Sequence, residues 1–239
     1  MGLPFPKLIL LPGMDGTGQL FADFMKTLPV ELEVEVLHYP ADRFLSYEQL
    51  MPFTGASFPA SEPFVLIAES FSTPLAVQLA AVNFPNLKGI VLCAGFVTSP
   101  APGWLLRLCL FFSRILVTVG LPKFVARYWL VGLCAPPLLI ASVQAAISSV
   151  KPEVLSARLR AVLTCDARAE LEQIPVPILY LQAKNDRLVK GSSLNEIRRI
   201  KPKIVATVIQ GPHLLFQREP QRTAEVVMKF IRQLPLTEN

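Results

Sequence analysis

Short continuous apolar runs recur along the 239-residue chain, separated by longer amphipathic stretches. The runs occupy residues 7–11, 33–38, 64–68, 89–93, 178–182 and 204–209. Each has the length of a strand, and most are rich in Val, Ile and Leu, as strands covered on both faces are. The second run alternates weakly and ends at Tyr39 and Pro40. Between the runs, apolar positions at helical spacing predict helices over 19–28, 46–51, 74–84, 192–200 and 220–232. Alternating strands and helices predict an α/β fold with a parallel sheet.

One interval breaks this rhythm. The stretch between the fourth and fifth runs is far longer than a single crossover needs. Residues 99–165 read as several helices, with breaks near Gly120 and Pro122, at Pro136 and Pro137, and at Lys151 and Pro152. The expected organisation is a core of residues 1–98 and 166–239 with a helical cap, or lid, of residues 99–165 inserted into it. The cap holds seven Lys or Arg and one acid, Glu153. Arg107 and Arg114 stand seven apart, on one stripe of an otherwise apolar helix.

Composition narrows the class. Apolar residues make up 52% and charged residues 17%, which excludes disorder and points to greasy surface somewhere. The net charge of +5 is uneven: residues 1–99 carry four basic and nine acidic side chains, residues 100–239 nineteen and nine. The densest basic run, Arg198, Arg199, Lys201 and Lys203, reads as a solvated helix end. No nucleic-acid reading motif accompanies it, so no nucleic-acid partner is expected. The basic cap could touch a membrane surface or an acidic carrier protein; the plainer account is that its charges keep a greasy insertion soluble. Cys93, Cys109, Cys134 and Cys165 show no C-x-x-C spacing and read as buried thiols, and with two histidines in the chain no metal site is expected. The apolar run at 8–11 is too short for a signal peptide, and Pro6 stands where myristoylation needs Ser or Thr. Residues 104–119 and 128–146 are poor membrane spans, interrupted by arginines and by the proline pair. The expected location is cytoplasmic.

The chemistry lies just past the strands, where open α/β sheets place their sites. After the third run comes A-E-S-F-S, Ala68 to Ser72. A serine on a sharp strand-to-helix turn is a nucleophile elbow; the usual pattern is G-x-S-x-G, and alanine and serine are the next smallest residues for its flanks. Pro74 suits the first helical turn that follows. After the first run comes G-M-D-G-T-G, Gly13 to Gly18. It lacks the lysine of a P-loop and the spacing of a dinucleotide fingerprint, and reads as an oxyanion-hole loop whose donor pairs with the N–H of Phe71. A hydroxyl nucleophile needs a base. Of His38 and His213, only His213 follows the serine, in G-P-H after the last strand. The acid that orients it is an aspartate between them, Asp166 or Asp186. Asp186 lies four residues past the fifth run and is the candidate; Asp166, read in a helical context at the end of the cap, suits a solvated charge, and Glu170 and Glu172 are remote alternatives.

Together the LLPGMDGTG loop, the AESFS elbow, the Asn185-Asp186 pair and the terminal G-P-H resemble the α/β-hydrolase superfamily, and within it small bacterial esterase- or lipase-like serine hydrolases. They are also similar to the hydrolase-like part of plant phytyl ester synthases. The resemblance covers 7–98 and 166–239. It implies Ser70 as nucleophile, Asp186 as orienting acid, His213 as base, and the backbone N–H groups of Met14 and Phe71 as oxyanion donors. Met14 follows the glycine where the family often shows H-G-x; Pro12 replaces that histidine. Six residues precede the first strand, so the expectation is a mostly parallel six-stranded sheet, helices on both faces, without the family's opening antiparallel hairpin.

The activity implied is hydrolysis of small-molecule carboxylic esters with an apolar acyl group, through an acyl-enzyme and with no cofactor. The same triad would serve an acyltransferase. It would also serve a hydrolase of carrier-protein-bound acyl methyl esters, such as the pimeloyl methyl ester esterases that the chain distantly resembles. A non-catalytic hydrolase-like binding protein would have no need of all three residues.

Overall fold

The computed structural model describes residues 5–101 and 126–235. Six strands form one sheet: β1 (Lys7–Leu11), β2 (Val34–Val36), β3 (Phe64–Glu69), β4 (Leu87–Cys93), β5 (Ile178–Ala183) and β6 (Val205–Ile209). Their order is β2-β1-β3-β4-β5-β6, and every pairing is parallel. The strand order reverses between β1 and β3, with the chain stepping from β1 out to β2 and back across to β3, which opens a crevice at the carboxyl edge of these central strands, where such sheets bind ligands.

The strands explain their own burial. Successive side chains point to opposite faces, so Ile9 and Leu11 of β1 enter one core cluster while Leu8 and Leu10 enter the other. The first face is covered by α2 (Tyr47–Gly55), α3 (Thr73–Ala81), α6 (Arg168–Gln173) and α7 (Gly191–Ile200). The second is covered by α1 (Ala22–Met25), α8 (Leu215–Arg218) and α9 (Pro220–Ile231). All six residues of β3 are buried. Each large aliphatic among them contributes roughly 1.5–3 kcal/mol by leaving water, which anchors the turn that follows.

Between β4 and β5 the described residues form a π-helical turn (Ala126–Val131), α4 (Pro137–Ser148) and α5 (Pro152–Thr164). Prolines at the first turns of α4 and α5 set these starts, because the missing N–H has no helical partner there. The predicted apolar helix with Arg107 and Arg114, and Cys109, lie outside the described residues. Among the described residues no single helix is long and apolar enough to cross a membrane; α4 and α5 meet at 97°.

Several expectations need correction. The second predicted helix does not stop before Pro52: a capping box of Ser46 and Gln49 starts it, and it runs through Pro52 to Gly55. The cysteines are not uniformly buried: Cys93 is, Cys165 is half-buried and Cys134 is exposed, all three as free thiols. Asp166 is not helical. It makes an isolated bridge with Thr98 and an exposed ion pair with Arg168.

Candidate active site

Ser70 sits on the turn between β3 and α3 with φ of 48°, a left-handed conformation that a non-glycine residue holds only under constraint. The constraint comes from both sides. β3 is locked in the sheet centre, and Thr73 at the start of α3 exchanges hydrogen bonds with the next loop: its hydroxyl donates to the Phe96 carbonyl and accepts from the Phe96 N–H, both at 3.1 Å. The turn pushes the Ser70 hydroxyl out over the carboxyl edge of the sheet.

His213 and Asp186 reach the same point from the loops after β6 and β5. The His213 ring bonds through Nε2 to Ser70 Oγ at 2.9 Å and through Nδ1 to Asp186 Oδ2 at 2.8 Å. Both side chains are buried. The other Asp186 oxygen accepts the backbone N–H groups of Leu188 at 2.8 Å and Val189 at 2.9 Å. The carboxylate is thus fixed by main chain. Asp166, Glu170 and Glu172 take no part in this chain of hydrogen bonds. His38, the other histidine, bonds the Thr17 carbonyl.

Electrostatics suit the imidazole to proton transfer. Burial opposes the imidazolium, but the charge and hydrogen bond of Asp186, with Glu69 beyond it, outweigh burial, and the His213 pKa rises above 6.5. Glu69, the last residue of β3, is fully buried, and desolvation pushes its carboxyl up to about 7 against the pull of His213. Gln217 on α8 donates to its Oε2 at 3.3 Å, while Oε1 is buried with no hydrogen-bond partner among the described residues. A carboxyl so placed favours its neutral form.

The loop after β1 faces the serine. A turn closes from Gly16 N–H to the Gly13 carbonyl at 3.0 Å, and Met14 and Phe71 line one cavity with Ser70. Phe71 lies at the first turn of a helix, where N–H groups have no helical acceptor. Ser72, standing where the usual elbow has glycine, bonds the Pro12 carbonyl and, at 2.6 Å, the Tyr39 hydroxyl. The Ser72 hydroxyl thus couples the elbow to the oxyanion loop. Tyr47 adds a bond to the Phe71 carbonyl at 2.8 Å.

The cavity encloses about 460 Å³ and is mainly apolar, with Phe96, Val143, Ile147, Val162 and Leu163 in its lining together with Ser70 and His213. This volume is within the range of small-molecule sites. Arg187 and Lys190 bring positive charge to its lining. Arg187 also donates to the Tyr128 carbonyl at 2.7 Å and stacks 3.7 Å from that ring's centroid, and Leu214 N–H reaches the Leu130 carbonyl at 3.1 Å. The loops carrying Asp186 and His213 are therefore tied to the helical segment above them.

Three participants escaped the sequence reading. Glu69 gave a faint signal as an acid closing an otherwise apolar run. Ser72 was read as a tolerated small residue, not as a hydrogen-bonding one. Arg158 on α5 is buried and bonds three backbone carbonyls around the oxyanion loop. Its signal was an arginine on the stripe of Val154 and Leu155.

A sequence model of the alpha/beta hydrolase family matches residues 9–226. A pimeloyl-[acyl-carrier protein] methyl ester esterase of Xanthomonas oryzae pv. oryzae is 25% identical over 258 residues, covering 96% of both chains. Among solved structures, a hydrolase from Oleispira antarctica superposes with a TM-score of 0.80 at 15% identity, over 98% of this chain and 93% of that one. A structure from a study of carboxylesterases of Nitrososphaera gargenis gives 0.78 at 14% identity, over 97% and 92%.

Proposed function

Because this chain is a member of the alpha/beta hydrolase family, we propose that it is a serine carboxylesterase acting on small esters with an apolar acyl group. The observation that carries this reading is the unbroken hydrogen-bonded series Ser70, His213, Asp186, whose first two members line an apolar cavity. His213 Nε2 takes the Ser70 proton as Oγ attacks the ester carbonyl carbon. The carbonyl oxygen becomes an oxyanion, held by the N–H groups of Met14 and Phe71, each such donor being worth roughly 3 kcal/mol. Collapse breaks the bond to the leaving oxygen, which takes the proton from His213 and departs as alcohol. Water then attacks the acyl-enzyme by the same route, releasing the acid and restoring Ser70. Asp186 orients the ring through Nδ1 and stabilises the transient imidazolium. Helices α4 and α5, between β4 and β5, act as a lid whose side of the cavity takes the acyl group.

A panel of p-nitrophenyl esters of increasing chain length, on wild type and Ser70→Ala, tests this. Turnover by wild type and its loss in the variant are expected. Equal turnover by both, or none by wild type at any length, overturns it.

A narrower reading has its own support in the similarity to the carrier-protein methyl ester esterase and in Arg187 and Lys190 at the cavity. On that reading an acidic carrier presents the acyl group, and salt slows hydrolysis of the carrier-bound ester far more than of the free one.

A further inference from the structure

We propose that Arg158 is a positioning residue for the oxyanion-stabilising N–H of Met14, so that α5 takes part in the chemical step as well as walling the cavity. The proposal rests on the assignment of Met14 and Phe71 as oxyanion donors given above.

Arg158 belongs to the inward stripe of α5, next to the buried Val154 and Leu155, and is itself only 2% exposed. Its guanidinium is spent on main chain. Nη1 donates to the Met14 carbonyl at 3.0 Å and the Asp15 carbonyl at 2.8 Å; Nη2 donates to the Pro40 carbonyl at 2.9 Å. The cation also stands 5.8 Å from the centroid of the Tyr39 ring and 6.0 Å from that of Phe71, the other donor residue. One side chain on the helical segment thus grips the Met14 half of the oxyanion site and stands beside the ring of the Phe71 half.

The geometry transmits this grip to the amide that matters. The Gly13 carbonyl is held by the Gly16 N–H at 3.0 Å. In a trans peptide the C=O and the N–H point opposite ways, so fixing the Gly13 carbonyl inside the turn sends the Met14 N–H to the other side. Arg158 clamps the next two peptides of that turn. The Tyr39 N–H holds the Gly16 carbonyl at 2.8 Å and closes the frame. The loop is shaped to admit the guanidinium: Gly16 has φ of 69°, and a Cβ there would lie 2.7 Å from Arg158 Nη1.

The physical need is plain. A segment holding Gly13, Gly16 and Gly18 has wide backbone freedom, yet an oxyanion donor must be aimed before charge develops. Pro12 and Gly13 bring no side-chain donor that could hold the loop. A planar fork with several donors can bind successive carbonyls at once; a lysine offers one point charge on a flexible stem.

The test compares wild type, Arg158→Lys and Arg158→Ala on a soluble p-nitrophenyl ester, together with inhibition by an alkyl boronic acid that mimics the tetrahedral intermediate on Ser70. We expect kcat to fall roughly 10- to 100-fold in both variants, since losing one oxyanion donor outright is worth on the order of 100- to 1000-fold. KM should change little, and the boronic acid should bind more weakly by a factor similar to the fall in kcat. Added guanidinium ion should restore part of the Arg158→Ala activity and none of Ser70→Ala. If Arg158→Ala does not fold, Arg158→Lys carries the comparison. A folded Arg158→Lys that keeps kcat and boronic acid affinity, or one that raises KM alone, overturns the proposal while the hydrolase reading stands. Activity surviving in Ser70→Ala overturns the hydrolase reading and this proposal with it.

Discussion

Replacing Glu69 by glutamine is expected to stabilise the protein at pH 8 and to do so far less at pH 5. The carboxyl closes β3, fully buried, with one oxygen lacking a hydrogen-bond partner among the described residues. Burial lifts its pKa from 4.5 to about 7. The folded state therefore holds this proton more tightly than the unfolded chain, and stability falls as pH rises between these two values. Above the folded pKa the whole difference is expressed, about 3 kcal/mol. At pH 5 the unfolded carboxyl is already partly ionised, which leaves about 1 kcal/mol. Glutamine has nearly the same shape and no charge at either pH, so it removes the penalty. Urea unfolding of wild type and Glu69→Gln at both pH values, with m-values compared, reads the effect. A gain near 3 kcal/mol at pH 8, shrinking to about 1 kcal/mol at pH 5, is the expected result. A pH-independent difference, or a wild type more stable than the variant at pH 8, refutes the reasoning.

Three further outcomes are expected at the site. The kcat/KM for a neutral ester should rise with pH through a midpoint above 6.5, because the base must be neutral and its pKa is raised; Asp186→Asn should cut turnover on the order of 10⁴-fold, and a flat profile across pH 5–9 would count against His213 as the base. Val162→Phe, at a half-buried position in the cavity wall, should abolish turnover of long-chain p-nitrophenyl esters while sparing the acetyl ester; an unchanged chain-length profile would show that the acyl group lies elsewhere.

The sheet was legible because its four central strands are buried on both faces and so read as uninterrupted apolar runs, while the partly exposed edge strands β2 and β6 remain rich in valine and isoleucine. The boundaries moved by only a residue or two, as with β4, which begins at Leu87 instead of Gly89. Ser70 was legible as a small polar residue between an apolar strand and a proline-started helix. His213 was legible because histidine is scarce here, and Asp186 because it follows a strand closely. What escaped was whatever depends on burial of a charge. Glu69 and Arg158 look in sequence like any surface acid and base; only the packing of β3 and α5 shows that one is desolvated and the other clamped onto carbonyls. Asp166 escaped for the opposite reason, since no periodicity marks the bridge to Thr98.

The way Asp186 is held has a consequence for how specificity can drift. Its carboxylate is gripped by the amides of Leu188 and Val189, whose side chains line the cavity. The grip is indifferent to what those side chains are. Position 188, whose side chain is exposed, can therefore be exchanged for larger, smaller or more polar residues while the acid keeps its place; at 189, where valine is buried, apolar side chains of similar size do the same. Proline is barred at both, because it removes the N–H. Recognition and chemistry share two residues yet draw on different atoms of them, and this leaves the pocket open to retuning without a loss of catalytic order.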